Sequence, residues 1–454
     1  MSRFLMRVAL SAGICLAFAG ATPAGEEEIA VRPLRSADQD EILKALDQRT
    51  EFDFQKRPLR ELVDYLKHKH KVEARLDSKA IGDAGVGTDT PVTLSLKNVS
   101  LRSALRFMLM QIDLTYLVRD GCVLITSRTE AENRLISTFY QVPDLIAGDM
   151  VLLAAPPTGD GTNDLQDAGR ALGAEQKPIP EANAFRGLID LITSAIAPTS
   201  WNEVGGSGSI VVSRRSQAIG IGQTDEVHEE IVALLVALRR VRDEQIAAMK
   251  ATDAGFPAKS APRARGKEDR TEEALLEKGD LVFTKLPLIE ALHRLSDECE
   301  VPLYIDHKAF ADAGKSTDTQ VTYAFKGLSY KTALTLMLDK LDLAHSIRQD
   351  VLLITSKSAA ETLLTVKVYP VFNLLVRQPD APADRPALDF GPLIDDITSN
   401  IAPTSWDEVG GPGAIKEFRN SGALVISQTA AIHEKIAEHL EAMGQARAAQ
   451  RAGR

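Results

Sequence analysis

The alternation of apolar and polar residues becomes regular near residue 50, where it predicts a strand, a helix and a second strand. Four apolar residues follow Pro58 at the spacing i, i+3, i+4 and i+7 of one helix face: Leu59, Leu62, Val63 and Leu66. This pattern predicts an amphipathic helix that has the proline in its first turn. Short strands are predicted on either side of it, at 51–55 and 72–76.

The next stretch predicts a half-buried strand, a helix and a hairpin. Apolar and polar residues alternate from Val92 to Leu96, as on a strand with one face in the core. Ser100 is placed to cap a helix whose apolar stripe continues to residue 112. Asp120-Gly121 then predicts a tight turn between two strands. The predicted order for residues 48–130 is therefore βαββαββ.

A second pattern, βαββα, covers residues 136–241. It consists of a strand at 138–142, a helix at 185–196, two strands at 209–213 and 217–222, and a final helix with Thr224 as its cap. Ala197-Pro198 ends the first of these helices, because proline does not continue a helix. Short strands mixed with helices predict the α+β class.

The whole pattern occurs twice. At a shift of 229 residues, LDSKA at 76–80 matches IDHKA at 305–309, and LITS at 124–127 matches LITS at 353–356. The first copy then holds 24 extra residues, after which the shift is 205. At that shift, IAPTSWNEVGG at 196–206 matches IAPTSWDEVGG at 401–411 in ten of eleven positions. The sequence therefore predicts two cassettes.

The boundaries of the predicted segments follow from these matches. Each cassette has a short domain, at 48–130 and 277–359, and a βαββα module, at 136–241 and 365–444. The first module has a long loop at 147–184, a flexible linker occupies 242–272, and a basic tail occupies 445–454. Below, residues related by the shifts of 229 and 205 are called equivalent.

Three segments of the short domain resemble the short N-terminal domain (STN) of bacterial secretins and TonB-dependent receptors. They are PLRELVDYL at 58–66, VTLSLKNVSLRSAL at 92–105 and VLIT at 123–126. The helix with EEIVALLVAL at 229–238 resembles the one in the KH-like ring-building module that follows this domain in secretins. The resemblance covers most of both cassettes and implies periplasmic contact modules. We expect the secretin pore to be lacking, because no barrel-length run of alternating strands follows.

Charge and the N-terminal pattern limit the function further. The formal net charge of −10 argues against a nucleic-acid partner, which needs a basic face. Arg3 and Arg7 precede an apolar run, which predicts a signal peptide at 1–21 with Ala19 or Ala24 as alternative cleavage sites. No later segment reaches transmembrane length, so we expect no integral membrane segment after cleavage. The expected location is the periplasm, with peripheral outer-membrane association as an alternative.

The three cysteines do not indicate a disulfide framework. Cys15 follows Ile14 inside the apolar run, a poor context for lipid modification. Cys122 and Cys299 are not equivalent positions, and both are predicted to be small core residues.

The repeated tryptophan phrase is the main candidate site. It could grip a partner or stack a glycan, or it could lock its own loop against the sheet, and burial of the large indole favours the lock. The candidate contact or lock residues are Trp201, Gly205, Gly206, Trp406, Gly410 and Gly411. A phosphate cradle is disfavoured, because a helix precedes these glycines and a strand follows them.

For the repeated polar residues, structural roles are favoured over catalytic ones. His228 and His433 lie in the first turn of the last helix of each module, without a recognisable nucleophile motif, which favours packing or capping over catalysis. Asp77 and Asp306 are predicted to form turns or caps, as are Asp89 and Asp318. His68 and His70, two residues apart, are a poor metal pair on a helix.

These observations predict a non-catalytic protein. No cofactor or metal is indicated. The expected partner is an envelope or secretion-system protein, a second copy of the chain, or both. The alternative is a periplasmic ligand-binding or sensing module that uses the tryptophan loops.

Overall fold

A computed structural model describes residues 37–146, 181–251, 269–377 and 388–452. The predicted signal peptide, Cys15, most of the predicted loop at 147–184 and most of the linker lie outside the described residues. The described part mixes helices with several small sheets, which confirms the α+β class.

The first short domain has two sheets. Its elements are α1 (Ala37–Leu46), β1 (Arg49–Pro58), α2 (Arg60–His70), β2 (Ala74–Leu76), α3 (Ser78–Asp83), β3 (Pro91–Ser100), α4 (Leu101–Met110), β4 (Leu114–Arg119), β5 (Cys122–Ser127) and α5 (Arg128–Asn133). Strands β1 and β3 form an antiparallel pair. In the second sheet, of order β2-β5-β4, β2 runs parallel to β5 and β4 runs antiparallel to it.

The first βαββα module is a three-stranded antiparallel sheet with two long helices. Its elements are β6 (Ile136–Gln141), α6 (Pro143–Ile146), α7 (Glu181–Ala195), β7 (Ser209–Ser213), β8 (Ala218–Gln223) and α8 (Asp225–Ala251). The strand order is β6-β8-β7, so the last strand lies in the centre.

The second short domain has the same order of elements as the first, and the second βαββα module keeps the βαββα order with an additional pair of short strands, β15 and β16. The short domain contains α9 (Asp269–Leu276), β9 (Lys278–Pro287), α10 (Leu288–Glu298), β10 (Leu303–Ile305), α11 (His307–Asp312), β11 (Gln320–Ser329), α12 (Tyr330–Asp339), β12 (Leu343–Arg348), β13 (Val351–Ser356) and α13 (Lys357–Ala360). The module contains β14 (Leu364–Pro370), β15 (Val376–Arg377), β16 (Leu388–Asp389), α14 (Gly391–Asn400), β17 (Ala414–Phe418), β18 (Ala423–Thr429) and α15 (Ala430–Ala452). Its main sheet has the order β14-β18-β17.

Local sequence signals explain most of these boundaries. The Ser100 hydroxyl accepts a hydrogen bond from the Ser103 amide and caps α4, as expected. Asp120 and Gly121 both have positive φ, 49° and 68°, as the tight turn between β4 and β5 requires. Val92, Leu94 and Leu96 are buried, and their neighbours are exposed. The strands and the helix therefore lie where the apolar pattern predicts them.

The prediction that Pro58 lies in the first turn of a helix is wrong. Strand β1 extends through Pro58, which pairs with Pro91, and α2 begins only at Arg60. A proline at the end of an edge strand loses no hydrogen bond of the sheet. Proline is therefore tolerated at this strand end as well as at the start of a helix. Helices α1, α3, α5 and α6 were not predicted.

The two short domains pack on each other. The ring of Phe107 on α4 lies 4.7 Å from the ring of Tyr304 on β10, centroid to centroid. Tyr304, Val351 and Leu353 belong to the apolar core of the first short domain, although they lie in the sheet of the second. Helix α4 therefore covers the outer face of the second short domain's sheet.

The two βαββα modules repeat this arrangement. The core of the first module includes Val368, Phe418, Ala423 and Val425, which lie on strands of the second module. The alternate residues Leu424 and Ile426 point into the second module's own core. Sheet β14-β18-β17 therefore lies between its own helices, α14 and α15, and the helices α7 and α8 of the first module.

Polar contacts at the β17–β18 turn support this packing. The Ser421 hydroxyl donates to the Leu238 carbonyl at 3.1 Å, and Gln245 Nε2 donates to the Ser421 carbonyl at 2.5 Å. Asn420 Nδ2 donates to the Leu145 carbonyl at 2.5 Å. The turn of the second module is thus bonded to α6 and α8 of the first.

Candidate functional site

The tryptophan loop of the first module is closed by its own hydrogen bonds. Helix α7 ends, and Ala197 takes a left-handed conformation with φ of 43°. The Trp201 indole then turns back under the loop, where its Nε1 donates to the Ile196 carbonyl at 2.9 Å. The Gly206 amide donates to the Trp201 carbonyl, also at 2.9 Å. The indole therefore ties the end of the helix to the loop.

The glycines of the phrase allow close backbone contacts. A Cβ atom on Gly206 would lie 2.1 Å from the Ser200 carbonyl carbon, which no side chain can tolerate. Gly205 has φ of 92°, a conformation that glycine adopts without a steric penalty. The side chain of Gln223 completes the lock, because its Nε2 donates to the Ser200 hydroxyl at 2.7 Å. These bonds account for the glycines without a bound anion.

The loop of the second module has the same geometry. Trp406 Nε1 donates to the Ile401 carbonyl at 2.9 Å, and Gln428 Nε2 donates to the Ser405 hydroxyl at 2.8 Å. Gly410 has φ of 86°. A Cβ atom on Gly411 would lie 2.2 Å from the Ser405 carbonyl carbon. Both loops are thus built by the same bonds.

The indoles of both loops are buried, and only the loop tips face solvent. Trp201 and Trp406 are each 1% exposed, whereas Val204 and Val409 at the tips are 65% and 64% exposed. A planar stacking surface for a sugar ring is therefore absent from the described parts of these loops. Any contact made by the loops would use the tips.

The repeated histidines form buried pairs with tyrosines. His228 Nδ1 and the Tyr140 hydroxyl are 2.6 Å apart, and His228 Nε2 lies 2.8 Å from the Ile136 carbonyl. Because the carbonyl can only accept, Nε2 carries the proton and Nδ1 accepts from the tyrosine. Both ring nitrogens are therefore engaged in linking helix α8 to strand β6.

His433 has the equivalent partners in the second module. Its Nδ1 lies 2.9 Å from the Tyr369 hydroxyl, and its Nε2 lies 2.8 Å from the Thr365 carbonyl. Burial lowers the pKa of His433 to about 4, so the ring is neutral near pH 7. A neutral imidazole with both nitrogens bonded inside the core is a packing group.

The repeated aspartates cap helices. Asp77 accepts from the Ala80 amide at 3.2 Å and caps α3, and Asp306 accepts from the Ala309 amide at 3.0 Å and caps α11. Asp89 is exposed and forms an ion pair with Arg60. Asp318 is exposed, and its amide donates to the Ser316 hydroxyl.

The histidines of α2 and the cysteines do not converge on a common site. His68 Nδ1 contacts the Asp64 carbonyl, whereas His70 Nε2 contacts the Thr50 hydroxyl. Cys122 and Cys299 are buried free thiols. Within the described ranges, no group of three or more histidine, cysteine or acidic side chains is placed to hold a metal ion.

An ion cluster joins each short domain to its βαββα module. Arg102 and Arg106 on α4 both reach the Glu229 carboxylate on α8, with Arg106 Nη2 at 2.6 Å. At the equivalent positions of the second cassette, Lys331 Nζ lies 2.8 Å from a Glu434 carboxylate oxygen. A charge pair thus links the short domain to the βαββα module within each cassette.

In the described part of the chain, the outer face of sheet β6-β8-β7 is open. Phe139, Gly220 and Val211 lie side by side on its three strands. Phe139 is 59% exposed and Val211 is 58% exposed, which makes them the main apolar side chains on this face. The equivalent of Phe139 is Val368, which is 2% exposed because α7 and α8 cover it.

The sequence prediction did not identify this face or the packing of the modules. One signal was available in the alignment of the copies. Leu191 and Leu234 on α7 and α8 are buried, and their equivalents are the polar Asp396 and His439. A loss of apolar residues at one helix face of one copy indicates that only the other copy uses that face for packing.

The described helices include none that is both long enough and apolar enough to cross a bilayer.

Comparisons with known proteins give little further information. No protein-family model matches the chain, and no curated protein matches it. A solved structure of secretin N-terminal domains, described as "Structure of XcpQN012", matches at 14% identity over 37% of this chain and 65% of that chain. The chain thus spans slightly less than two thirds of that structure. The TM-score of this match is 0.15.

Proposed function

We propose that this chain is an exported, non-catalytic protein of the cell envelope that acts through protein–protein contacts. The supporting observation is the packing of α7 and α8 on sheet β14-β18-β17. Here one βαββα module binds the sheet face of another through an apolar interface of the kind that holds stable complexes together. Among the residues that the structure describes, none of the helices lies on the same face of the first module, where Phe139 and Val211 are exposed.

The absence of catalysis is proposed because the repeated polar side chains have internal partners. His228 and His433 each use both ring nitrogens inside the core, and Asp77 and Asp306 cap helices. A general base must reach a substrate proton, and these histidines are buried under their own modules. The buried indoles likewise give little support to the alternative of a glycan-binding loop.

Export is proposed from the N-terminal sequence pattern. N-terminal sequencing of the protein purified from its native cells should begin after Ala21, or after Ala19 or Ala24. A protein that still begins at Met1 would contradict export by a cleaved signal.

Chemical crosslinking in living cells, followed by affinity purification of the tagged chain, tests the contact role. We expect the same envelope protein in every replicate. The matched control is the same tagged chain without residues 1–21, which stays in the cytoplasm and should not recover that protein. Adducts containing only this chain would indicate a self-assembling scaffold. Recovery of the monomer alone from both samples would overturn the proposal.

A further inference from the structure

The second βαββα module shows what this kind of sheet face binds. Its outer face carries Val368, Val425 and Phe418, and all three lie in the core that α7 and α8 complete. The occupant is the helix pair α7 and α8, whose Leu191 and Leu234 belong to the same apolar core. The chain thus contains one occupied example of the interface.

The first module presents the same face without a described occupant. In the central row, Phe139, Gly220 and Val211 are in register, and the two exposed side chains lean over the glycine. The row on one side is Ser137, Gly222 and Ser209. On the other side lie Gln141, Ala218 and Ser213. This gives a small apolar centre with an uncharged polar rim, the anatomy of a protein interface.

A second copy of the chain does not provide a matching helix face. In a second copy of the chain, the helix face equivalent to that of α7 and α8 belongs to α14 and α15 of the second module. There Asp396, Asn400 and His439 stand at the positions of Leu191, Ala195 and Leu234. His439 Nε2 lies 2.5 Å from an Asp396 carboxylate oxygen. Covering this hydrogen-bonded polar pair with Phe139 would remove its solvation without supplying a new partner.

We propose that the open face of the first module, centred on Phe139, Gly220 and Val211, binds an amphipathic helix or helix pair of a different protein. The matching helix has an apolar stripe flanked by uncharged polar side chains, because the six rim positions named above are three serines, a glutamine, a glycine and an alanine. The proposal rests on the contact function proposed above and names the surface and the kind of partner.

Site-specific photocrosslinking in the full-length chain tests this proposal. p-Benzoyl-phenylalanine replaces Phe139 in one variant and Val211 in a second, and the cells are irradiated before purification. We expect both variants to give the same adduct with another protein, with the linked residue on the apolar stripe of a helix. Adding Phe139→Asp to the Val211 variant should lower the adduct yield roughly tenfold, because a carboxylate is poorly tolerated against an apolar stripe.

Two control positions separate failure of this proposal from failure of the proposed function. Leu336 on α12 and Val282 on β9 are exposed apolar residues far along the chain from this face and take the same photocrosslinker. Partner adducts at a control position but none at Phe139 or Val211 would overturn the docking face and leave the contact function standing. No adduct at any position would contradict both.

The mapped position of an adduct decides among other occupants. Links to 391–400 or 430–452 of a second copy would show self-stacking. Links to residues 147–180 of the same chain would show that the chain covers its own face. Links to a strand or loop of another protein would show a different mode of docking. Each of these three results would overturn the proposal.

Discussion

The first and second βαββα modules share an order of elements and a tryptophan loop, yet their outer surfaces are opposite in character. In the first module the helices carry Leu191 and Leu234, which are buried in the core shared with the second module, and among the described residues the sheet face is open. In the second module Val368, Phe418 and Val425 on the sheet face are buried in the core shared with the first module, and the helices present Asp396 and His439. The surface residues of each module therefore depend on which of its faces packs against the other module.

This difference distinguishes the residues that each module needs for its own fold from the residues that it needs for contact with the other module. The loop bonds of Trp201 and Trp406 are the same in both modules, because each indole closes its own loop. The residues that differ lie on faces that only one of the modules uses. In repeat proteins, the terminal unit is likewise polar on the face that has no neighbour.

The largest expected effect comes from giving the first module the polar helix face of the second. Leu191→Asp combined with Leu234→His places two polar groups under strands β14, β18 and β17. We expect the free energy of unfolding to fall by about 4 kcal/mol or more, because buried polar groups without designed partners are costly. Urea unfolding followed by tryptophan fluorescence measures it.

The control for this change keeps the side chains apolar. Leu191→Met with Leu234→Met should cost less than about 1.5 kcal/mol per site. If the Asp and His variant is as stable as the parent, the helices of the first module do not lie on the sheet of the second.

The next largest effect on the free energy of unfolding concerns a feature that the two modules share, the tyrosine–histidine pair. The pKa of His433 is lowered to about 4 in the folded chain, against 6.5 for an unperturbed histidine. Between pH 6.5 and 4 the unfolded state therefore binds more protons, so stability falls as the pH falls through this window. The loss from this one group should reach about 3 kcal/mol.

Urea unfolding between pH 7 and 4 checks this expectation with a variant that cannot titrate. His433→Gln keeps a donor for the Thr365 carbonyl but has no proton to gain. We expect a lower stability at pH 7 and a flatter dependence on pH than in the parent. Equal slopes for the two proteins would show that His433 is not held neutral by burial.

Local features of the fold could be predicted from the sequence. Ser100 as a helix cap, the Asp120-Gly121 turn and the alternation from Val92 to Leu96 depend on interactions between close neighbours in the chain. The position of Pro58 was not predictable from its own preference, because a strand end and a helix start both suit proline.

The candidate site was predictable only in part. The tryptophan phrase stood out because it is repeated, but its partners Ile196 and Gln223 act through a loop geometry that residue spacing does not encode. The open face around Phe139 depends on which module covers which. That is a property of contacts between residues far apart in the sequence, such as Leu238 and Ser421, which are 183 positions apart, and residue patterns within one module carry no record of it.

A smaller effect on stability is expected from alanine substitutions at equivalent positions on the two sheet faces. Val368 is buried under the helices of the first module, and its equivalent Phe139 is exposed. Val368→Ala should cost about 2 kcal/mol, because a buried valine loses methyl contacts and leaves a void. Phe139→Ala should change stability by less than about 0.5 kcal/mol, although it removes a larger side chain. Similar costs for the two variants, measured by urea unfolding, would contradict the assignment of one covered and one open face.

The smallest expected effect on stability is the most informative about assembly. Asp396→Leu with His439→Leu gives the second module the apolar helix face of the first. These side chains are partly exposed, so the unfolding free energy should change by less than about 1 kcal/mol. The new face should, however, fit the open sheet face of another chain, so we expect concentration-dependent association in sedimentation velocity runs where the parent stays monomeric. Adding Phe139→Asp should return the variant to a monomer, because the carboxylate would face the new apolar stripe. Association that persists with Phe139→Asp would mean that the chains meet through another surface, and the polar pair would then not be what prevents stacking of one chain on the next.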